Sequence, residues 1–125
     1  MYSNELRYTE NHEWLRIEDD ICVIGITDYA QKELGDVVYI DLPEVGDSFD
    51  PEDAFGAIDS SKTSADVYTP LAGDVVEVNE ALEDSPEVVN EDPHGKGWLI
   101  KLRFSDSAPL DSLMSAEQYQ KSIEA

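Results

Sequence analysis

One lysine, Lys62, stands at the centre of a small polar turn in a chain that is otherwise strongly acidic. The turn, Ser60-Ser61-Lys62-Thr63-Ser64, carries small hydroxyl side chains that leave the amine sterically open, and Asp59 and Asp66 are its nearest acidic neighbours. An exposed amine on a tight turn is what a modifying enzyme needs in order to attach a group to that nitrogen. Lysines at loop tips more often only aid solubility, so the rest of the sequence is needed to distinguish a modification site from a solubilising residue.

The chain offers no set of residues that predicts catalysis or metal binding. His12-Glu13 begins like a zinc-protease motif, but the second histidine would stand at position 16, which is Arg16. The aspartates at positions 47, 50 and 53 have the wrong spacing for a calcium loop. His12 and His94 are the only histidines, and neither forms a recognisable Ser-His or Cys-His pair. We therefore predict a carrier or adaptor without a metal, and not an enzyme.

The composition favours a folded protein that binds other proteins. A chain of 125 residues is typical of one domain with its own core, and we predict a single domain over residues 1–125. Lys and Arg number 8 against 29 Asp and Glu, which gives a formal net charge of -21. Nucleic acids and anionic membranes require cationic contacts, so neither is expected as a partner, whereas proteins with basic docking patches are. The apolar residues fall in strand-like runs, which argues against disorder.

The same negative charge predicts a response to salt. Like charges repel one another, so screening by added salt is expected to raise the stability of the fold. Adaptation to a salty habitat would explain the acidity as well as docking does, and the sequence leaves both explanations open.

The cysteine content and the N-terminus indicate a soluble intracellular protein. A single cysteine, Cys22, forms no intrachain disulfide, and its place in the apolar run Ile21–Ile26 predicts a buried thiol. The segment Met1–Glu5 has neither a basic nor a hydrophobic region, and no apolar stretch reaches membrane-spanning length. We predict a monomer in the bacterial cytoplasm or, if a presequence has been removed, in the mitochondrial matrix.

Short strand patterns separated by turn residues predict a compact, mostly antiparallel β protein. A hairpin is expected from Glu13–Ile17 and Ile21–Ile26, and Thr27 is predicted to cap a short helix near residues 28–34 that ends at Gly35. A C-terminal helix near residues 115–123 is predicted from a capping box of Ser115 and Gln118. Further strands are predicted at residues 36–42, 54–59, 65–69, 74–78 and 98–104.

An internal repeat divides the chain around Lys62. Gly35-Asp36-Val37-Val38 recurs as Gly73-Asp74-Val75-Val76, and Pro-Glu-Val follows each copy, at residues 43–45 and 86–88. Two copies are too few for a solenoid, which needs three or more stacked units. The repeat suggests two half-sheets that close on one another with the Lys62 hairpin at one end, although a four-residue motif also recurs by chance.

Short motifs of one known family occur in the right order through nearly the whole chain. They are His12-Glu13-Trp14, Gly25-Ile26-Thr27 with Ala30-Gln31, Leu34-Gly35-Asp36-Val37-Val38, Leu42-Pro43-Glu44-Val45-Gly46, Pro70 with Gly73, Val78-Asn79, Pro86 with Asn90, and Gly97-Trp98. Each is weak alone, but together they are highly specific. On these residues the chain resembles the glycine cleavage system H protein, the lipoyl carrier of that complex.

The resemblance implies a fold and a covalent cofactor. The fold would be a barrel-sandwich hybrid of the lipoyl- and biotinyl-carrier kind, with lipoate attached to Lys62 on a β-hairpin. The family's usual Glu-Ser-Val-Lys-Ala reads Asp59-Ser60-Ser61-Lys62-Thr63 here, so the carboxylate is shorter by one methylene and a threonine follows the lysine. Asp59, Gly46 and Gly73 correspond to residues that the family's lipoylating enzymes recognise.

The resemblance also implies partners. A pyridoxal-phosphate glycine decarboxylase (P protein) would load an aminomethyl group onto the arm, and a tetrahydrofolate-dependent aminomethyltransferase (T protein) would remove the one-carbon unit. Dihydrolipoyl dehydrogenase (L protein) would then reoxidise the dithiol. The redox chemistry belongs to the cofactor, and the chain supplies positioning and protection.

The family also shelters its loaded arm in a surface cleft. Glu13 and Asp66 match the acidic residues of that cleft, and Asn11 occupies a position that often holds serine. As alternatives, Glu13 is a solvated acid at a strand end, and Asp66 is a hairpin residue that bonds the turn backbone.

Other carriers fit the sequence less well. The lipoyl domain of a 2-oxoacid dehydrogenase normally has Asp-Lys-Ala at its tip, and a biotin carrier favours methionines where this chain has Ser61 and Thr63. An H-like protein outside glycine cleavage stays open because the residues around Lys62 are altered. Such a protein would be either a relay that donates lipoyl groups or an unmodified acidic adaptor.

Overall fold

Two antiparallel sheets and several short helices form the structure, a computed structural model that describes residues 3–106 and 108–124. The strands are β1 Arg7–Tyr8, β2 Glu13–Glu18, β3 Ile21–Ile26, β4 Val37–Asp41, β5 Ser48–Phe49, β6 Ala54–Ser60, β7 Ser64–Tyr68, β8 Gly73–Val78 and β9 Ile100–Arg103. The α-helices are α1 Asp28–Leu34, α2 Ala81–Asp84, α3 Val88–Glu91 and α4 Ala116–Glu124, and a 3-10 helix spans Ala108–Ser112. The segment Met1–Glu5, in which no targeting signal is expected, includes Met1 and Tyr2, which lie outside the described residues.

The strands divide into a six-stranded and a three-stranded sheet. The first has the order β1-β2-β3-β9-β8-β5 and the second has the order β4-β6-β7. Neighbouring strands pair antiparallel throughout both sheets. The predicted mostly β fold, with one helix near residues 28–34 and another at the C-terminus, is confirmed. It takes the form of two sheets that do not close into a barrel.

The main core joins the two sheets. Ile24 of the six-stranded sheet and Ile58 of the three-stranded sheet belong to one buried apolar cluster. Successive side chains of a strand point to opposite faces, so Val23 lies in a second cluster, together with Tyr119 of α4. The six-stranded sheet is therefore covered on both faces around β3. That cover explains why Ile21–Ile26 is an unbroken apolar run, and it places Cys22 in the interior as predicted.

The predicted helix ends are confirmed by their capping bonds. Thr27 accepts a hydrogen bond from the backbone N–H of Ala30 at 3.2 Å and so begins α1. Gly35 ends α1 with φ at +82°, a left-handed value that a residue with a side chain rarely adopts. At α4, the backbone N–H of Ser115 donates to Gln118 Oε1 at 3.0 Å, and Ser115 Oγ accepts from the Gln118 N–H at 3.2 Å.

The two copies of the repeat begin strands in different sheets. Val37 opens β4 of the three-stranded sheet, and its counterpart Val75 lies in β8 of the six-stranded sheet. Both valines are buried. Beyond these strands the copies diverge, because the first leads into an irregular segment and the second leads into α2 and α3. The symmetry of the two halves stays a prediction.

Several element boundaries differ from those expected. The strand predicted at 98–104 is shorter, since β9 runs from Ile100 to Arg103, and the strand predicted at 36–42 runs from Val37 to Asp41. No pattern predicted β1, β5, α2, α3 or the 3-10 helix. Within the described ranges, no helix is long and apolar enough to cross a membrane.

Candidate functional site

Lys62 lies exposed at the tip of the hairpin formed by β6 and β7, as the sequence predicts. Residues 60–63 form the tip, and Ser60 organises it. The backbone N–H of Ser60 donates to the carbonyl of Thr63 at 2.7 Å. Its hydroxyl oxygen accepts from the backbone N–H of Lys62 at 3.3 Å and from that of Thr63 at 3.1 Å. A serine directly after the last acid of β6 therefore shapes the turn that presents the lysine.

The hairpin tip is fastened to the junction between α1 and β4. The backbone N–H of Ser61 donates to the carbonyl of Asp36 at 2.9 Å. The stem of Lys62 passes over Gly35, where a Cβ atom would lie 3.3 Å from Lys62 Cε. We call residues 35–37 the hairpin seat. All four backbone N–H groups of the tip thus have partners, which favours a single conformation for the turn.

One side chain from α3 clamps the hairpin seat. Asn90 donates from Nδ2 to the carbonyl of Gly35 at 2.9 Å and to Gln31 Oε1 at 3.0 Å. Its Oδ1 accepts from the backbone N–H of Val37 at 2.8 Å. Asn90 therefore ties the end of α1 to the start of β4, at the place where the hairpin rests.

The amine of Lys62 makes no ion pair or hydrogen bond within the described part of the chain. Asp59, its nearest acid in sequence, lies half-buried in β6, where it pairs with Tyr39 of β4 and Ser64 of β7. The Lys62 side chain is therefore an accessible primary amine on an ordered turn, and it is available for acylation.

The two glycines expected to serve in recognition lie together, away from the tip. The backbone N–H of Gly46 donates to the carbonyl of Val75 at 2.8 Å, two residues beyond Gly73. Gly46 has φ at +99°, and a Cβ at Gly73 would collide with the backbone carbonyl of Arg103. Each position requires glycine for local structural reasons, whether or not an enzyme recognises it.

A cleft of about 410 Å³ opens beyond the far end of β7. Four parts of the chain form its walls: residues 8–11 with residue 13, residues 51–52, residues 68–70, and residue 109 with residues 112–114. Glu10, Glu13 and Glu52 line it, and no lysine, arginine or histidine is among its described lining residues. The electrostatic potential of such a cleft favours a cationic ligand.

Glu13 is buried in the wall of this cleft, with 2% of its surface exposed. Its Oε1 accepts from the Thr9 hydroxyl at 2.7 Å, and its Oε2 accepts from the backbone N–H of Tyr68 at 3.1 Å. Burial raises the pKa of the Glu13 carboxyl, against the opposing effect of these two hydrogen bonds. The alternative of a solvated strand-end acid is therefore wrong. A carboxylate has about four acceptor positions, so Glu13 retains the capacity to bind an ammonium group.

The other two expected cleft residues are placed differently. Asn11 is exposed and lines the cleft. Asp66 is exposed on β7 and is not among the lining residues. It lies two residues before Tyr68, on the same face of the strand, and so between the Lys62 tip and the cleft. The structure therefore brings Asn11 and Glu13 together in the cleft and places Asp66 outside it.

Several residues of this site were not identified from the sequence. Thr9 and Tyr68 hold Glu13 through a hydroxyl and a backbone amide, and neither gives a sequence signal. The sequence marks Asn90 only as part of a family motif. No group of three or more His, Cys, Asp or Glu side chains in the described ranges could hold a metal ion.

An ordered hairpin that presents an unpaired lysine, on a domain that also has an acidic cleft, fits a carrier domain of the swinging-arm kind. A family model for the glycine cleavage H-protein matches residues 6–125. A glycine cleavage system H protein of Carboxydothermus hydrogenoformans is 52% identical over 120 residues, which cover 96% of this chain and 92% of that protein. The crystal structure of a glycine cleavage system H protein from Mycobacterium marinum superposes with a TM-score of 0.91 at 33% identity, and the match covers 99% of this chain and 100% of that one.

The chain belongs to the glycine cleavage H-protein family. It is accordingly a carrier protein and not a catalyst, which confirms the expectation drawn from its lack of catalytic residues. Membership of the family makes it a lipoate carrier of the glycine cleavage system.

Proposed function

We propose that this chain carries an aminomethyl group, on lipoate attached to Lys62, from the glycine decarboxylase to the tetrahydrofolate-dependent aminomethyltransferase. Dihydrolipoyl dehydrogenase then returns the carrier to its oxidised form. The observation that carries the proposal is the unpaired, exposed Lys62 at the tip of a fully hydrogen-bonded turn. These three enzymes are the partners that membership of the system implies.

The residues present fit a lipoyl group. Lys62 offers an amine for the amide bond, and Ser60, Ser61 and Thr63 leave it sterically open. When bound, lipoate would supply the disulfide that opens to accept the aminomethyl group on one sulfur and that is left as a dithiol once the group has been released. The chain attaches the arm, orients its base through the hairpin seat and offers the cleft as a shelter from water.

The cleft suits the cargo by its charge. An aminomethyl group on sulfur carries an ammonium, and Glu13 can accept a charge-assisted hydrogen bond from it. Asn11 adds a polar contact on the same wall. Asp66 lies along the face of β7 that the arm would follow, so we assign it attraction of the ammonium and not its final binding.

The three residues that we assign to recognition by the lipoylating enzyme act in two ways, Asp59 by direct contact and the two glycines through the backbone. Asp59 lies beside the tip, which supports our assignment of this residue to contact with the lipoylating enzyme. Gly46 and Gly73 act through the backbone, since each allows a conformation or a close approach that other residues would not. A monomeric single domain in the cytoplasm stays a prediction.

Reconstitution tests this function. The lipoylated chain is mixed with purified decarboxylase, aminomethyltransferase and dihydrolipoyl dehydrogenase, with glycine, tetrahydrofolate and NAD. Glycine-dependent NADH formation is expected, and it is expected to stop when Lys62→Ala replaces the wild-type chain. Lys32→Ala is the matched control, because Lys32 is also an exposed lysine but lies on α1 in an ion pair with Asp28.

Two outcomes separate the proposal from its alternatives. A lipoylated chain that the decarboxylase does not load would exclude the shuttle and favour a relay that donates lipoyl groups elsewhere. Activity retained by Lys62→Ala would place the arm on another residue and contradict the assignment of the site.

A further inference from the structure

The edge strand β4 exposes two neighbouring apolar side chains beside the lysine hairpin. Val38 and Tyr39 are 57% and 58% exposed, whereas Val37 before them and Ile40 after them are buried. The pairing of β4 with β6 shifts between Val37 and Tyr39, which marks a β-bulge. A bulge inserts one residue and breaks the alternation of inward and outward side chains. Two successive apolar residues therefore face solvent, and neither belongs to a described core cluster.

The register places this pair close to the hairpin tip. Tyr39 pairs directly with Asp59, and Asp59 precedes Lys62 by three residues. Paired residues on neighbouring strands have Cβ atoms about 5 Å apart, and three residues span at most about 10 Å. A protein interface of about 800 Å² on each side reaches about 16 Å from its centre, so a partner centred on Lys62 would cover Tyr39.

Acidic residues surround the exposed pair. Asp36 and Asp41 are exposed at the two ends of β4, and Asp59 lies across the strand from Tyr39. The cross-strand rows Tyr39-Asp59-Ser64 and Asp41-Ala57-Asp66 contain three acids and no cation. A surface complementary to this one would carry an apolar pocket bordered by lysine or arginine.

We propose that Val38 and Tyr39 form the docking anchor for the enzyme that attaches lipoate to Lys62. This inference rests on the proposed function. The lipoylating enzyme must bring its catalytic centre to the amine itself, so its footprint includes the residues beside the tip. The other enzymes of the system act on the end of a flexible arm and can work farther from the hairpin. Tyrosine is also one of the residue types enriched at interface hot spots.

Lipoylation kinetics test the anchor. The unmodified chain is incubated with a lipoate–protein ligase, lipoate and ATP, and kcat and KM for the chain are measured by intact mass. Truncation of a hot spot typically costs more than 1 kcal/mol, and about 1.4 kcal/mol is a factor of ten, so Val38→Ser with Tyr39→Ser is expected to raise KM about tenfold. The expected kcat stays within about twofold, because neither side chain reaches the reacting amine.

Two matched variants control for nonspecific effects. Val45 is 62% exposed and lies beyond the far end of β4, so Val45→Ser is expected to leave KM unchanged. Tyr39→Phe keeps the ring and is expected to behave like the wild type. Urea midpoints of all variants are measured, since a docking role changes KM without a matching loss of stability.

The outcomes distinguish this proposal from the function on which it rests. If the wild-type chain is modified at Lys62 but the double serine variant keeps a KM within twofold, the anchor is wrong and the carrier function stands. An equal rise in KM for Val45→Ser would also overturn the anchor. If the wild type is not modified and the Lys62→Ala chain does not bind the ligase, both proposals fail. An unchanged KM for lipoylation with a raised KM for the decarboxylase would assign the surface to that enzyme instead.

Discussion

At the scale of single residues, the proposed cation-binding role of Glu13 depends on how its buried carboxyl group is stabilised. A buried carboxylate is costly unless it is hydrogen-bonded, and Thr9 and the backbone of Tyr68 supply two bonds here. Burial nevertheless raises the pKa of Glu13, so these two hydrogen bonds do not fully offset the cost of burying its charged form. An ammonium that enters the cleft would supply the missing compensation.

Replacement of Glu13 is expected to shorten the lifetime of the loaded arm. A hydrogen bond to a charged group contributes about 1.5–3 kcal/mol, so Glu13→Gln is expected to speed hydrolysis of the aminomethyl-loaded chain about tenfold or more. Asp66→Asn is expected to have a smaller effect, because Asp66 does not line the cleft. Ammonia and formaldehyde release from the loaded chain would be followed over time. Equal rates for the wild type and Glu13→Gln would remove Glu13 from the binding role.

His12 makes the stability of the fold depend on pH. Its Nδ1 lies 2.8 Å from the Tyr119 hydroxyl, and burial lowers its pKa from 6.5 against the opposing charge of Glu33. The unfolded chain therefore takes up the proton first as pH falls. The contribution of neutral His12 is complete above about pH 6.5 and is lost as pH falls through that value towards the folded pKa.

The urea midpoint of the wild type is expected to decrease as the pH is lowered from 7.5 to 5.5. The midpoint of His12→Gln is expected to depend less steeply on pH. The slope is not abolished in that variant, because burial also lowers the pKa of His94. Identical slopes for the wild type and His12→Gln would show that His12 does not titrate with folding.

At the scale of elements, the hairpin depends on parts of the chain that are distant in sequence. The tip rests on the hairpin seat between α1 and β4, and Asn90 of α3 clamps that seat. Chain segments near residues 35, 61 and 90 thus act together to orient Lys62. This arrangement reduces the conformational freedom of the base from which the arm swings.

Loss of the clamp is expected to loosen the hairpin. Asn90→Ala leaves the Val37 N–H and the Gly35 carbonyl without their partner, at about 1–3 kcal/mol for each buried group. The amide of Ser61 is therefore expected to exchange with deuterium faster in this variant than in the wild type, whereas the amides of β6 change less. Hydrogen exchange followed by mass spectrometry or NMR measures this directly.

Asn79→Ala is the matched control for the clamp. Asn79 also bonds two backbone carbonyls, those of Lys96 and Trp98, but none of its bonds involves the hairpin seat. It is expected to lower global stability without a specific change at Ser61. Equal acceleration at Ser61 in both variants would mean that Asn90 acts only through global stability.

The elements with clear chemical signals were those the sequence predicted well. Thr27, Gly35 and the Ser115–Gln118 pair mark helix ends through their own capping bonds, so local sequence sufficed for α1 and α4. The two-residue strands β1 and β5 are too short for a period to show. The four-residue helices α2 and α3 are likewise too short, and their burial depends on residues distant in sequence.

The candidate site was predictable to a similar extent. Lys62 was identified from its turn, because small polar residues and an exposed amine are local features. Glu13 and its partner Tyr68 are 55 positions apart in the sequence. The hydrogen bonds of Asn90 to Val37 and Gly35 join residues that are 53 and 55 positions apart. Such contacts become visible only when the sheets are assembled.

At the scale of the whole molecule, the negative charge has opposing consequences. A formal net charge of -21 suits docking to basic surfaces of partner enzymes, but it also destabilises the compact state through repulsion. The observed ion pairs are largely exposed and so contribute little stability. Repulsion between acidic side chains is therefore expected to dominate the response to salt.

Added salt is expected to stabilise the fold. The urea midpoint should rise between about 10 mM and 150 mM NaCl, as the Debye length shortens from about 30 Å to about 8 Å. Urea is the suitable denaturant because it is uncharged and leaves the ionic strength unchanged. A midpoint that stays flat or falls over this range would show that repulsion is not a major term.

The proposed function depends most on one atom, the Nζ of Lys62, as the point of attachment for lipoate. The direct measurement is the intact mass of the chain after incubation with lipoate, ATP and a lipoate–protein ligase, followed by peptide mapping. We expect a gain of one lipoyl group located on Lys62, and no gain for Lys62→Ala. A wild-type chain that gains no mass, or a Lys62→Ala chain that gains the same mass, would contradict it.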